Sequence, residues 1–160
     1  LLNAIRLSRI ALHARTGKQQ YKGHPDLEAF QGFYELCQHP LYYNGGIESL
    51  SDIRQILIRF PLLKGVFIGR GLLSSPLLAK EFKGNETFLP EQRMSIYFAF
   101  HEELFSAYSQ VLQGETQLLV KMKTLWEYFL PETDRKLLKR IKKSTRLQQY
   151  TESVKAIFTS

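Results

Sequence analysis

Cysteine is almost absent: the 160 residues contain one, Cys37, which excludes an internal disulfide framework and any zinc site built from several cysteines. Long apolar runs are missing too. The longest extend over a few residues, against the roughly 18 needed to span a bilayer, and no basic, apolar and small-residue series opens the chain as a signal peptide would. The expectation is a soluble cytoplasmic protein without membrane contact. Strand-like patterning stops at about Lys83. Acidic charge is scarce at the C-terminal end, where residues 121–160 carry ten basic against four acidic side chains, while 81–120 carry two against six. The net formal charge of +7 and pI near 9.5 therefore favour a polyanionic partner met at that end.

What is present falls into two halves. The first alternates short apolar runs with helical patterns: a strand at 7–12, a helix from Asp26 to Cys37, a strand at 41–43, a helix capped by Ser51 or Asp52, a strand at 65–68, and a short helix opened by Ser75-Pro76. Phe30, Phe33, Tyr34 and Cys37 share one face of the first helix, which reads Cys37 as a small core residue rather than a nucleophile. From Lys83 onward apolar residues recur at spacings of three and four. Pro90 opens a helix with Tyr97, Phe100, Leu104, Tyr108 and Val111 in one stripe, followed by helices carrying Leu118 to Phe129, Leu137 to Ile141 from a start at Pro131, and Leu147 to Ile157 from Thr145. The expected fold is α/β plus all-α: 1–82 as the last strand-helix units of a (β/α)8 barrel, incomplete at the front, and 83–160 as a four-helix bundle.

Two strands of the first half end in glycine turns, Asn44-Gly45-Gly46 and Gly69-Arg70-Gly71. Such turns let backbone N–H groups approach an anion, a following helix N-terminus favours negative charge, and arginine adds a bidentate clamp. Each has a plainer reading: Asn44 as a strand terminator and the glycines as turn punctuation. His24, His39 and His101 show no metal-ligand spacing, and Glu102-Glu103 reads as a solvated face.

Three motifs in order carry a resemblance that extends over nearly the whole chain. Ala11-Leu12-His13-Ala14-Arg15-Thr16-Gly17 with Gln19-Gln20-Tyr21-Lys22-Gly23, then Tyr43-Asn44-Gly45-Gly46-Ile47, then Ile68-Gly69-Arg70-Gly71 with Ser75-Pro76, resemble the second half of tRNA-dihydrouridine synthases. The resemblance implies an FMN enzyme that uses NADPH to reduce the C5=C6 bond of uridine in tRNA. It places His13 at the flavin or its phosphate side, Asn44, Gly45, Gly46, Gly69 and Arg70 around the FMN phosphate, and Arg15 and Tyr21 at the barrel mouth facing flavin and uridine. Gly46 stands where the family has aspartate. The family's proton-donating cysteine and flavin-contacting lysine belong to the first half of its barrel, Cys37 does not match that cysteine, and no catalytic residue is assigned. On this reading the chain is the C-terminal half of the enzyme and inactive alone, with self-association through exposed barrel edges expected.

The run Arg135-Lys136, Lys139-Arg140, Lys142-Lys143, Arg146 is either a solvated helix face or a phosphate-tracking stripe. Helical spacing puts Arg135, Lys139, Lys142, Lys143 and Arg146 largely on one surface and leaves Leu137, Leu138 and Ile141 for the core. In a tRNA enzyme such a stripe positions substrate without reading bases. Two other functions compete. One is a non-catalytic RNA-binding module that has lost flavin; the other is an FMN barrel acting on a small molecule, against which the basic helices argue.

Overall fold

The computed structural model describes residues 2–19 and 23–159. The chain divides into two compact units, Leu1–Leu72 and Leu73–Ser160. The division falls inside a short helix, α3 (Arg70–Ser74), whereas the change in sequence pattern comes at Lys83.

In the first unit, β1 (Ile10–His13), β2 (Leu41–Asn44) and β3 (Gly65–Phe67) form a parallel sheet in that spatial order. Helices α1 (Leu27–Leu36) and α2 (Leu50–Arg59) supply the crossovers that parallel neighbours require. β1 starts later than the sequence suggests. Ladder pairing begins where β2 begins, with Ile10 N–H donating to the Pro40 carbonyl at 2.9 Å, so residues 7–9 have no strand to pair with.

Local chemistry sets the helix ends. The Asp26 carboxylate caps α1 by accepting from Glu28 N and Ala29 N. In α2 the cap is Ser49, not Ser51 or Asp52: Ser49 Oγ accepts from Asp52 N at 3.1 Å and the Asp52 carboxylate accepts from Ser49 N at 2.8 Å. Asp52 is thus the third helical residue of a reciprocal capping box. Between helices and sheet lies an aromatic core, with the fully buried Phe30 ring edge-on to Tyr43 and Phe60, both centroids at 4.9 Å. Burying a side chain such as Phe30 contributes about 2 kcal/mol. Cys37 is partly exposed rather than in this core; it is the C-cap of α1, its Sγ 3.6 Å from the His39 carbonyl.

The second unit holds α4 (Leu78–Gly84), α5 (Pro90–Val111), α6 (Glu115–Leu125), α7 (Arg135–Lys143) and α8 (Leu147–Phe158). Tyr97, Met122, Trp126, Phe129, Ile141, Tyr150 and Val154 fill its core. Two expectations are corrected. Pro131 does not open α7: Leu130 turns the chain with a φ of 48°, Thr133 N–H closes a turn on the Leu130 carbonyl, and Asp134 caps a helix starting at Arg135. Val111 lies outside the packed stripe, 72% exposed, while the neighbouring Leu112 packs against the core in its place. The buried positions on α5 are Tyr97 and His101, one turn apart.

Within that core His101 Nε2 lies 2.6 Å from the Tyr150 hydroxyl, which also accepts from Trp126 Nε1 at 3.0 Å. Glu102, read from sequence as merely solvated, reaches back to His101 Nδ1 at 3.1 Å. Burial pushes the His101 pKa down, with Glu102 opposing the shift, and pushes the Tyr150 pKa up. Nearby, buried Glu81 pairs with Arg93, which also donates to the Tyr97 hydroxyl at 3.2 Å; that hydroxyl shares a 2.6 Å hydrogen bond with Ser75 Oγ.

Candidate functional site

Parallel register collects the strand-end motifs. His13 pairs with Asn44 and Asn44 with Phe67, so all three lie in one row at the C-terminal ends of their strands. Paired residues share a face: Leu12, Tyr43 and Val66 point toward the helices, while His13, Asn44 and Phe67 point to the other side. One step down that second face come Ala11, Tyr42 and Gly65. The Tyr42 ring occupies the space where a Gly65 Cβ would sit, 3.2 Å away, and stands edge-on to Phe67 at 5.6 Å. Sequence reading took Tyr42 and Phe67 as strand residues only; the period-two spacing of Tyr42 from Asn44 was an available signal, whereas Phe67 joins the row through the β2–β3 register alone.

His13 is oriented by its neighbour. Its Nδ1 lies 2.8 Å from the Asn44 carbonyl oxygen, which only accepts, so Nδ1 carries a proton and Nε2 is the nitrogen left to meet a ligand. The two ends of the segment after β1 meet beside the same row, with Asp26 N–H donating to the Ala14 carbonyl at 2.8 Å. That contact sets Pro25 against the first glycine turn. A Cβ on Gly45 would fall 2.9 Å from Pro25 Cγ and 3.3 Å from His13 Nδ1. Gly46, exposed and at a φ of 60°, adopts a left-handed conformation that glycine favours.

The second turn contains two different glycines. A Cβ on Gly71 would stand 2.3 Å from the Ile47 carbonyl oxygen, so this residue lets α3 press its backbone onto the loop after β2. At Gly69 a Cβ would meet nothing within 4 Å. Gly69 is therefore the glycine with free space above it, and half-buried Arg70 follows as the first residue of α3.

Arg15 is held by one nitrogen. Its Nη2 donates to the Gly23 carbonyl at 2.8 Å, while Nε and Nη1 are buried without a hydrogen-bond partner among the described residues. Buried guanidinium N–H groups of this kind cost free energy unless a ligand accepts from them. Burial raises the Tyr43 pKa, the Arg15 charge pulls it back, and Asp52 adds to the rise. Tyr21 lies outside the described residues.

The basic run resolves into two surfaces on α7. Lys136, Lys139, Arg140 and Lys143, at helical spacings of three, four and seven, form one wall of an open groove of about 420 Å³; Ser144, Gln149, Glu152 and Ser153 line the rest. All four basic side chains are exposed and none is in an ion pair among the described residues. Arg135, Lys142 and Arg146 are exposed but do not line the groove. The proposed stripe thus contributes Lys139 and Lys143, and the structure adds Lys136 and Arg140, which single-stripe counting left out. Lys123, from α6, donates to the Ser144 carbonyl at 2.7 Å at the end of α7, where a cation is favoured.

Among the described residues no group of three or more His, Cys, Asp or Glu side chains is placed to hold a metal ion, and no helix is long and apolar enough to cross a membrane.

A family model described as dihydrouridine synthase matches residues 6–159. Two curated proteins are similar over part of the chain. One, named probable tRNA-dihydrouridine synthase from Aquifex aeolicus, is 34% identical over 77 residues, 48% of this chain and 24% of its own length. The other, of the same name from Rhizobium leguminosarum bv. phaseoli, is 36% identical over 67 residues, 42% of this chain and 21% of its own length. The matched stretches therefore span about a quarter or less of these relatives.

Proposed function

This chain belongs to the dihydrouridine synthase family, and we propose that it forms the phosphate side of the flavin site and an RNA-contacting surface of an FMN-dependent tRNA-dihydrouridine synthase working in the cytoplasm. The observation that carries the reading is the His13–Asn44 row: parallel register gathers the ends of three separate motifs at the C-terminal ends of the strands, with a histidine nitrogen left for a ligand and the exposed Gly46 and Gly69 in the turns that follow.

The residues fit an anionic cofactor. Arg15 has buried N–H groups without acceptors, and the space above Gly69 admits a phosphate that a side chain would exclude. Gly45, Gly46 and Gly69 would offer backbone N–H groups to the FMN phosphate, Arg70 its guanidinium, and His13 Nε2 a hydrogen bond to the flavin. When bound, FMN reduced by NADPH would supply the hydride for the uracil C5=C6 bond, and the accompanying proton would have to come from a general acid that none of these residues provides. Arg15 and Tyr21 would orient flavin and uridine. Cys37 is not the proton donor: it ends α1, where the chain returns to the start of β2, at the opposite end of the strands from His13. The groove cations would hold tRNA phosphates, setting the position of the substrate without reading its bases.

A second reading, RNA binding without flavin, is favoured by the groove residing wholly in the second unit. Titrating FMN into the purified chain and following its fluorescence, then repeating the titration with His13→Ala and Arg15→Ala, separates the two. Saturable quenching that both substitutions weaken supports the flavin site. A chain that shifts tRNA on a gel yet leaves FMN fluorescence unchanged supports the binding module.

A further inference from the structure

The groove between α7 and α8 contains an acid that a phosphate site has no use for. Glu152 lines the wall facing Lys136, Lys139, Arg140 and Lys143, and its charge repels the phosphates those cations attract. Proximity invites an ion pair, yet Glu152 is in none among the described residues. Instead its Oε1 accepts from Gln148 Nε2 at 3.0 Å, one turn earlier on α8, which holds the carboxylate in place on its own helix.

We propose that Glu152 makes the groove selective for ribose: the α7 cations grip the phosphates of a strand, and the Glu152 carboxylate accepts a hydrogen bond from a 2′-hydroxyl. A carboxylate is acceptor-only, the 2′-hydroxyl is the donor that distinguishes RNA from DNA, and a nucleic-acid strand alternates phosphate and sugar so that both walls are engaged together. With DNA the same carboxylate meets no donor and only repels. The inference rests on the reading of this surface as an RNA site, and it adds a specificity determinant that the basic residues do not provide.

The test compares binding, by fluorescence anisotropy at fixed salt, of an RNA hairpin the length of a tRNA arm and its all-2′-deoxy counterpart. Wild type should prefer the RNA, and Glu152→Ala should lose about tenfold of that preference, in part by binding DNA better. Glu152→Gln, which keeps an acceptor oxygen and drops the charge, should retain more of the preference than Glu152→Ala. Lys139→Ala should weaken both probes alike. Equal gains for RNA and DNA in Glu152→Ala would reduce Glu152 to a charge trim and overturn the proposal. So would a wild type that binds both probes equally while Lys139→Ala weakens both, which leaves the nucleic-acid groove standing. If neither probe binds, the RNA reading fails together with the proposal. Circular dichroism of each variant confirms that the exposed substitutions leave the helices intact.

Discussion

His101 and Tyr150 meet in the core of the helical unit, Nε2 to hydroxyl at 2.6 Å, with Trp126 Nε1 as the third partner at 3.0 Å. The Glu102 carboxylate only accepts, so Nδ1 carries a proton, and since burial favours the neutral ring Nε2 accepts from the Tyr150 hydroxyl. Tyr150→Phe removes the centre of this network and leaves two buried nitrogens unpaired. A loss of about 2–3 kcal/mol is expected in urea unfolding at pH 7.

The same network fixes a pH dependence. Burial lowers the His101 pKa below the ordinary value of 6.5, and Glu102 offsets this in part. As pH falls through 6.5 the unfolded chain takes up a proton that the folded chain refuses, so stability drops until His101 itself titrates. Urea midpoints should fall between pH 7 and pH 5.5, and the His101 ring signals in NMR should titrate below those of the unfolded chain. A ring that titrates above 6.5 would contradict the neutral, hydroxyl-bonded imidazole.

On the sheet, His13 acts through the nitrogen that Asn44 leaves free. His13→Ala removes both that nitrogen and the tether to the end of β2. FMN affinity should fall about tenfold, the scale of one hydrogen bond to a charged or strongly polar ligand. His13→Gln, which keeps a donor and an acceptor, should lose less. Fluorescence titration measures both.

How far the sequence carried depends on whether a feature is local. The Asp26 cap, the strand-end glycines and the helical stripes are local patterns, and they place α1, the two turns and α5 to α8 near where they occur. Three kinds of information were not local. The start of β1 depends on where β2 offers a partner. The start of α7 depends on the turn at Leu130 rather than on Pro131. The choice among seven cations depends on which side of α7 faces α8, and only packing decides that Lys136 and Arg140 join Lys139 and Lys143. His101 was invisible for the same reason: a polar residue buried at 1% exposure needs Tyr150, 49 positions away, to make its burial tolerable.

Lys139→Ala with Lys143→Ala tests the groove as a phosphate site. Each cation lost should lower the slope of log affinity against log salt by about 0.7 to 0.9, so the pair should flatten tRNA binding by about two contacts. Arg135→Ala with Lys142→Ala, outside the groove, should change the slope less. An unchanged slope for Lys139→Ala with Lys143→Ala would remove the groove from the interface.

Gly69 and Gly71 belong to one turn and should respond oppositely to alanine. At Gly71 the new methyl would lie 2.3 Å from the Ile47 carbonyl, a backbone atom that cannot rotate away, so α3 must lift off the loop after β2. Overpacking of this kind costs about 1–3 kcal/mol or more, and Gly71→Ala should unfold at distinctly lower urea. At Gly69 the methyl meets nothing within 4 Å, so Gly69→Ala should leave unfolding within about 0.5 kcal/mol of wild type. Its methyl would instead occupy the space proposed for the FMN phosphate, and flavin affinity should fall while stability holds. A Gly69→Ala variant that binds FMN like wild type would place the phosphate elsewhere and leave the turn with a packing role alone.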